Sequence, residues 1–189
     1  MMTPTPTQIA VLYATEQGST RDIADFIAED LAARGGEVEV SEVTHAPELS
    51  RFDAVVLGSA IHNMNFLPEA QSYIRAHDQE LRDTELWLFG VGLGPALRGP
   101  IGRRLGPVVP PEIARLRDLV APRDYRTFAG VYERAGVPLS ARVRYRLLGG
   151  GKYGDLRDWP SIRAWSDEIA TTLGLRSVSI DTEPSTHTP

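Results

Sequence analysis

The 189-residue chain has no cysteine, and only one of its twenty basic side chains is a lysine. Without cysteine there are no thiol nucleophiles, thiolate-held zinc, iron-sulfur clusters or disulfides. Any redox chemistry therefore needs a borrowed cofactor. The four histidines are scattered and the carboxylates stand singly along helical patterns, so the sequence offers neither a metal constellation nor an acid/base pair. No apolar run approaches the roughly 18 residues of a membrane span. Met1 to Thr7 lacks the basic charge and apolar core of a leader. The expectation is a cytoplasmic protein with one substantial core and no nucleic-acid partner.

Against these absences stands one informative segment. Thr15, Glu16, Gln17, Gly18, Ser19 and Thr20 follow the apolar run Ile9 to Tyr13, and a helical pattern takes over at Ile23. A glycine and three hydroxyls thus sit where a strand feeds a helix, and the first amides of a helix lack intrahelical partners and favour an anion. Gly18 allows positive φ and close backbone approach. The segment has neither the lysine of a nucleotide-triphosphate loop nor the repeated glycines of a dinucleotide turn. Hydroxyls and amides are left to hold a phosphate, which suits a monophosphate such as FMN. The alternative is an ordinary helix start capped by the side chain of Ser19 or Thr20.

The rest of the chain alternates strand and helix. Ile9 to Tyr13 reads as a buried strand, with a core-facing helix carrying Ile23, Ile27 and Leu31 and ending near Gly35. Val38, Val40 and Val43, interleaved with glutamates, suggest an edge strand. Ala54 to Leu57 is a third strand, followed by a loop from Ser59 to Asn65 and a helix marked by Leu67, Ala70, Ile74 and Leu81. Leu86 to Val91 and Thr127 to Tyr132 complete five strands, and Ile162, Trp165, Ile169 and Leu173 stripe the last helix. Asp158 and Pro160 mark its start. Gly94 to Pro111 reads as a loop before a short helix over Glu112 to Leu119. Gly136 to Asp155 interrupts the pattern, and its centre alternates like a strand yet also repeats like a helix.

This pattern predicts a parallel sheet covered on both faces, in the order 2-1-3-4-5, with an insertion before the last helix. Ligands of such sheets bind beyond the carboxyl ends of the strands. Thr15 to Thr20, Ser59 to Asn65 and Gly92 to Leu97 should therefore surround one crevice. Residues 1–174 are expected to form the domain and residues 175–189, polar and rich in Ser, Thr and Pro, a disordered tail. Charge is uneven as well. Ala96 to Lys152 holds twelve Arg or Lys against four acids, about +8, which leaves about −13 elsewhere in a chain of net charge −5. Such separation suggests an anionic partner, although solvated loop arginines account for it equally.

With these segments in place, the chain resembles the flavodoxin superfamily over nearly its whole length. Thr15-Glu16-Gln17-Gly18-Ser19-Thr20 is similar to that family's phosphate loop, with Gln17 where a Thr is usual. Gly58-Ser59-Ala60-Ile61, the helix ending near His77, the basic aromatic segment before Gly149-Gly150 and the final Trp159 to Ala170 helix are most similar to the menaquinone-dependent protoporphyrinogen oxidases. His62-Asn63-Met64-Asn65 departs from that group, which tends to have an Arg and a Gly there. The resemblance implies a flavodoxin-like three-layer sandwich that binds FMN or a deazaflavin. It also implies oxidation of a tetrapyrrole or similar planar substrate, with electrons passed to a quinone. A plain electron carrier serving a redox partner protein, and a cofactor-free binding relic, are the other readings.

On this reading Ser59, Ala60, Ile61, His62, Asn63, Met64, Gly92, Leu93 and Gly94 join Thr15 to Thr20 in holding the cofactor. Ile61, Met64, Phe66, Leu93 and Leu97 would offer apolar surface to its ring. No Trp or Tyr lies between Ser59 and Asn65 or between Gly92 and Gly99, which implies an exposed ring face. His62 is the titratable side chain placed to relay a proton, or else a loop histidine without a catalytic role. Arg142, Arg144 and Arg146 are expected to meet substrate carboxylates or, at the inner face of the membrane, anionic headgroups.

Overall fold

A computed structural model describes residues 5–97, 104, 108–132, 145–147 and 153–176. Arg142, Arg144 and residues 177–189 lie outside the described residues. The elements run β1 (Gln8–Ala14), α1 (Ser19–Ala33), β2 (Glu37–Glu42), β3 (Ala54–His62), β4 (Asn65–Phe66), α2 (Pro68–Ala76), α3 (Asp78–Arg82) and β5 (Glu85–Gly92). There follow α4 (Pro111–Val120), β6 (Asp124–Ala129), β7 (Val131–Tyr132), β8 (Gly154–Asp155) and α5 (Trp159–Thr172).

The sheet order is β2-β1-β3-β5-β6 with every neighbour parallel, which is the predicted 2-1-3-4-5 order. Period-two alternation along the strands makes two cores. Ala10, Leu12, Val55, Leu57, Leu86 and Leu88 face α2, α3 and α4, while Ile9, Val11, Val56, Trp87 and Phe89 face α1 and α5. Because both faces are covered, the central strands read as unbroken apolar runs. β2 lies at the edge, as its glutamates require. Gly58 is needed for packing: a Cβ there would lie 2.0 Å from the Phe89 ring.

α1 and α5 are tied by a polar cluster inside the second core. Asp30 accepts from Arg34 at 3.1 Å, Ser166 at 2.7 Å and Arg163 at 3.3 Å, and Arg34 also pairs with Asp167. Asp124 accepts from the Trp165 indole at 2.8 Å and joins β6 to α5. The α5 start is as expected, with Asp158 capping the Ser161 amide.

Three boundaries differ from expectation. β3 runs on to His62 rather than ending before Ser59, because Ile61 and His62 pair with Phe66 and Asn65 of β4 in an antiparallel hairpin. Its turn residues Asn63 and Met64 both have positive φ, as a two-residue type I′ hairpin requires. The fifth long strand starts at Asp124 and stops at Ala129, where Gly130 lets the chain leave the sheet and pair as β7 with β8. The residues expected to start a tail, Leu175 and Arg176, are still fastened: the Arg176 amide donates to the Arg34 carbonyl at 3.1 Å, and Leu175 packs on the second core. Within the interrupting segment, residues 145–147 are helical.

Candidate functional site

The carboxyl ends of four strands are level: Ala14 stands beside Ser59, Ala60 beside Val91, and Gly92 beside Ala129. The loops that leave them consequently start side by side along one end of the sheet. β1 delivers Thr15 to Gly18, the β3–β4 hairpin delivers His62 to Asn65, and β5 delivers Gly92 to Leu97.

The first loop does not cap its helix with a side chain. Gly18 is the N-cap, at φ 92° in the left-handed region, and neither Ser19 nor Thr20 plays that part. This excludes the ordinary side-chain cap as the reason for the hydroxyls. Thr15 Oγ1 instead accepts the Gly18 amide at 3.0 Å, which closes the loop, and nothing stands within 4 Å of the place a Gly18 Cβ would occupy. As the first three residues of α1, Ser19, Thr20 and Arg21 have amides without intrahelical acceptors. Thr20 is 0% exposed and its Oγ1 has no hydrogen-bond partner. A buried hydroxyl left unsatisfied costs about 1–3 kcal/mol, so its retention needs a reason.

Tyr73 on α2 and Tyr125 on β6 also bury hydroxyls without partners, and burial pushes both their pKa values up. Tyr125 is level with Leu88, however, four residues before the strand end. Among the described residues, only at Thr20 does the orphan hydroxyl coincide with free helix amides and open space over a glycine. These residues fit a phosphate group.

In the second loop, Ser59 and Phe66 are placed differently from expectation. Ser59 is fully buried, and its hydroxyl accepts the Leu67 amide at 3.0 Å and donates to the Ala60 carbonyl. It anchors the chain before α2. Phe66 is a core residue, 1% exposed, and offers no surface to a ligand. Ile61 lies across Gly90 and Gly92, where a Cβ would come within 2.7 Å and 3.1 Å of its side chain. Met64 stands out at the hairpin tip, 63% exposed. His62 is also exposed and pairs through Nδ1 with Glu16 Oε2 at 3.0 Å, which connects the first loop to the hairpin.

Several residues at this end were not picked out by the sequence pattern. A Cβ on Gly130 would meet Val91 at 2.9 Å and Ser19 Oγ at 3.0 Å, so the strand end closes against the first loop. The Leu156 amide donates to the Gly130 carbonyl at 3.2 Å. Arg157 then reaches Asp22 of α1 and Asp155, both at 2.7 Å, and lies 4.6 Å over the Trp159 ring. Its bonds to Asp155, against some burial, and to Asp22 hold its pKa above the ordinary value. A cleft of about 620 Å³ lies between Pro95 and Ala96 of the third loop, Phe128 of β6, Leu156 just before α5 and Trp159 at its start. The contacts of Gly130 with Ser19 and of Arg157 with Asp22 join residues more than a hundred positions apart, and short-range spacing carries no trace of them.

The basic block is less free than its composition suggests. Arg115 pairs with Glu112, Arg117 with Asp118, Arg123 with Glu85, and Arg126 with Asp124 and Glu168. Arg146 is exposed. No group of three or more candidate metal-ligating side chains occurs among the described residues.

Comparison with known proteins agrees with this architecture. The protoporphyrinogen IX dehydrogenase [quinone] of Escherichia coli (strain K12) is 27% identical over 85 residues, 44% of this chain and 47% of that protein. The chain thus spans about half the length of the curated relatives it matches. A flavodoxin from Streptococcus pneumoniae TIGR4 superposes with a TM-score of 0.53 at 14% identity, covering 87% of this chain and 99% of that one. A cysteine-to-serine mutant of a Pseudomonas aeruginosa flavodoxin gives 0.52 at 14% identity, covering 88% and 99%. At such identities the structures speak for the fold alone. The flavodoxin-domain family pattern matches residues 10–130, from β1 through the end of β6, and the chain belongs to that family.

Proposed function

We propose that the protein is an FMN-dependent oxidoreductase. The observation that carries this reading is the first loop of a flavodoxin-domain chain: a left-handed Gly18, free amides at the start of α1, and the buried, unpartnered Thr20 hydroxyl aimed at nothing within the protein. Thr20 Oγ1 and the amides of Ser19, Thr20 and Arg21 would hold the phosphate, with Thr15 shaping the loop. Ala60, Ile61, Asn63 and Met64 of the hairpin and Gly92, Leu93 and Gly94 of the third loop would border the ring, while His62 faces the first loop through Glu16. Bound FMN supplies the electron and hydride chemistry, and the protein supplies binding, orientation and exclusion of water. Those same loops accept a deazaflavin phosphate.

Within that reading we favour oxidation of a planar, tetrapyrrole-like substrate with electrons passed to a quinone. The support is the partial match to the E. coli quinone-linked dehydrogenase and the absence of Trp and Tyr from the second and third loops. Arg146, with Arg142 and Arg144, would meet substrate carboxylates or an anionic membrane surface. No helix among the described residues is long and apolar enough to cross a membrane. A carrier role is the second reading, favoured by the pairing of Arg115, Arg117, Arg123 and Arg126 with acids, which leaves less free basic charge than composition implies.

Mass spectrometry of the heat-released ligand separates FMN from a deazaflavin. Stopped-flow reoxidation of the reduced protein by a soluble naphthoquinone and by a one-electron acceptor protein separates the oxidase from the carrier, with protoporphyrinogen supplied afterwards. Faster quinone reoxidation with porphyrin formation is expected. Rapid one-electron exchange without porphyrin overturns the oxidase reading, and failure to bind any flavin overturns the whole.

A further inference from the structure

Glu16 is an acid inside a loop whose proposed ligand is a phosphate, and no residue of the loop offsets its charge. Compensation comes from another strand. β1 and β3 are neighbours with Ala14 level with Ser59, so the first loop and the end of β3 leave the sheet together. Their side chains meet where His62 Nδ1 stands 3.0 Å from Glu16 Oε2. We propose that protonated His62 strengthens cofactor binding by neutralising Glu16, which relieves the repulsion between that carboxylate and the phosphate. The inference deepens the FMN reading given above and rests on it.

The electrostatics are simple. A bare carboxylate in the loop repels the phosphate, and an imidazolium bonded to it cancels that repulsion, whereas a neutral imidazole can donate the same hydrogen bond without cancelling the charge. Among the described residues, Glu16 is the charged group within ion-pair distance of His62. The flanking hairpin residues Ile61, Asn63 and Met64 are uncharged. The charged groups of the first turn of α1 are occupied elsewhere, Arg21 with Asp25 at 3.5 Å and Asp22 with Arg157 at 2.7 Å. Both partners are largely solvated, at 62% for His62 and 53% for Glu16. Water screens such a pair, so its effect on affinity should be small, about two- to fivefold.

The FMN phosphate also titrates near pH 6, so the informative quantity is the ratio between variant and parent at one pH, never the parent profile alone. Apo full-length protein is titrated with FMN and with riboflavin at about pH 5.5 and 8.5, on either side of the histidine range. Flavin fluorescence reports binding to the parent, His62→Gln, Glu16→Gln, the double variant and His62→Lys. His62→Gln should weaken FMN binding about two- to fivefold at the lower pH and leave it unchanged at the higher one. In the Glu16→Gln background the same change should do nothing at either pH. His62→Lys, cationic throughout, should match the parent at the lower pH and exceed it at the higher. Riboflavin, which has no phosphate, should respond to none of these changes.

Equal weakening by His62→Gln at both pH values, or the same loss for riboflavin, would make His62 a ring contact or a structural residue and overturn the inference. Ratios of one throughout, with FMN still bound, overturn it while sparing the FMN reading. A parent that binds no FMN refutes both.

Discussion

Replacing Thr20 by Val should move two observables in opposite directions. The two side chains share shape and branching, so α1 keeps its geometry and its propensity. What changes is one oxygen, buried at 0% exposure and without a partner in the protein alone. Removing an unsatisfied buried hydroxyl returns its desolvation cost, about 1–3 kcal/mol. Apo protein should therefore become more stable by up to that amount. For a domain of this size that is a rise in melting temperature of roughly 2–12 °C. With FMN the same oxygen would donate to a charged phosphate, a bond worth about 1.5–3 kcal/mol, so affinity should fall roughly 10- to 150-fold.

Differential scanning calorimetry of the apo protein and fluorescence titration with FMN read the two effects separately. A variant that melts lower than the parent in the apo state, or that binds FMN as tightly as the parent, refutes the assignment of Thr20 to the phosphate. A hydroxyl bonded within the protein would produce the first result, and one retained only for packing the second.

Gly58→Ala forces a methyl against the Phe89 ring at the centre of the sheet. It should cost about 1–3 kcal/mol or more by overpacking, and a urea midpoint equal to that of the parent would show that the ring has room to move. Asp30→Ala leaves the Arg34 guanidinium buried between α1 and α5 without its main partner. A loss of about 3–5 kcal/mol is expected, and Asp30→Ala combined with Arg34→Met should recover most of it in the same urea melts. Burial raises the pKa of Asp124, but bonds from Arg126, Trp165 and the Tyr125 backbone outweigh it and hold the carboxyl below the usual range. Its contribution is present above the unfolded value of about 4 and disappears as pH falls through the lower folded value. The stability gap between parent and Asp124→Asn should thus be widest near neutrality and close in acid, and a gap that widens in acid would contradict this.

Much of this protein was legible in its sequence because the signals are local. Runs such as Ile9 to Leu12 and Ala54 to Leu57 are apolar without alternation, which only strands covered on both faces require. Ile23, Ile27 and Leu31 mark one helix face, and the strand-glycine-helix junction at Gly18 places the loop where α/β folds bind anions. The fold class and the strand order follow from these, and the likeness of Thr15 to Thr20 to a known phosphate loop points to the superfamily.

Other features were decided only when the chain folded. Ser59 and Phe66 look like site residues by position, yet the hairpin that prolongs β3 turns Phe66 into the core and commits the Ser59 hydroxyl to the Leu67 amide. Periodicity carries Thr127 to Tyr132 as one strand, and only the fold shows that it breaks at Gly130, where a Cβ would meet Val91 and Ser19, the latter more than a hundred residues away. The partners of Glu16, Asp22 and Arg157 are likewise chosen by three-dimensional proximity. Periodicity reports which face of an element is buried, since burial repeats with the backbone. A polar side chain's partner is a matter of which strand ends and loops arrive beside it, and that is fixed by the register of the sheet.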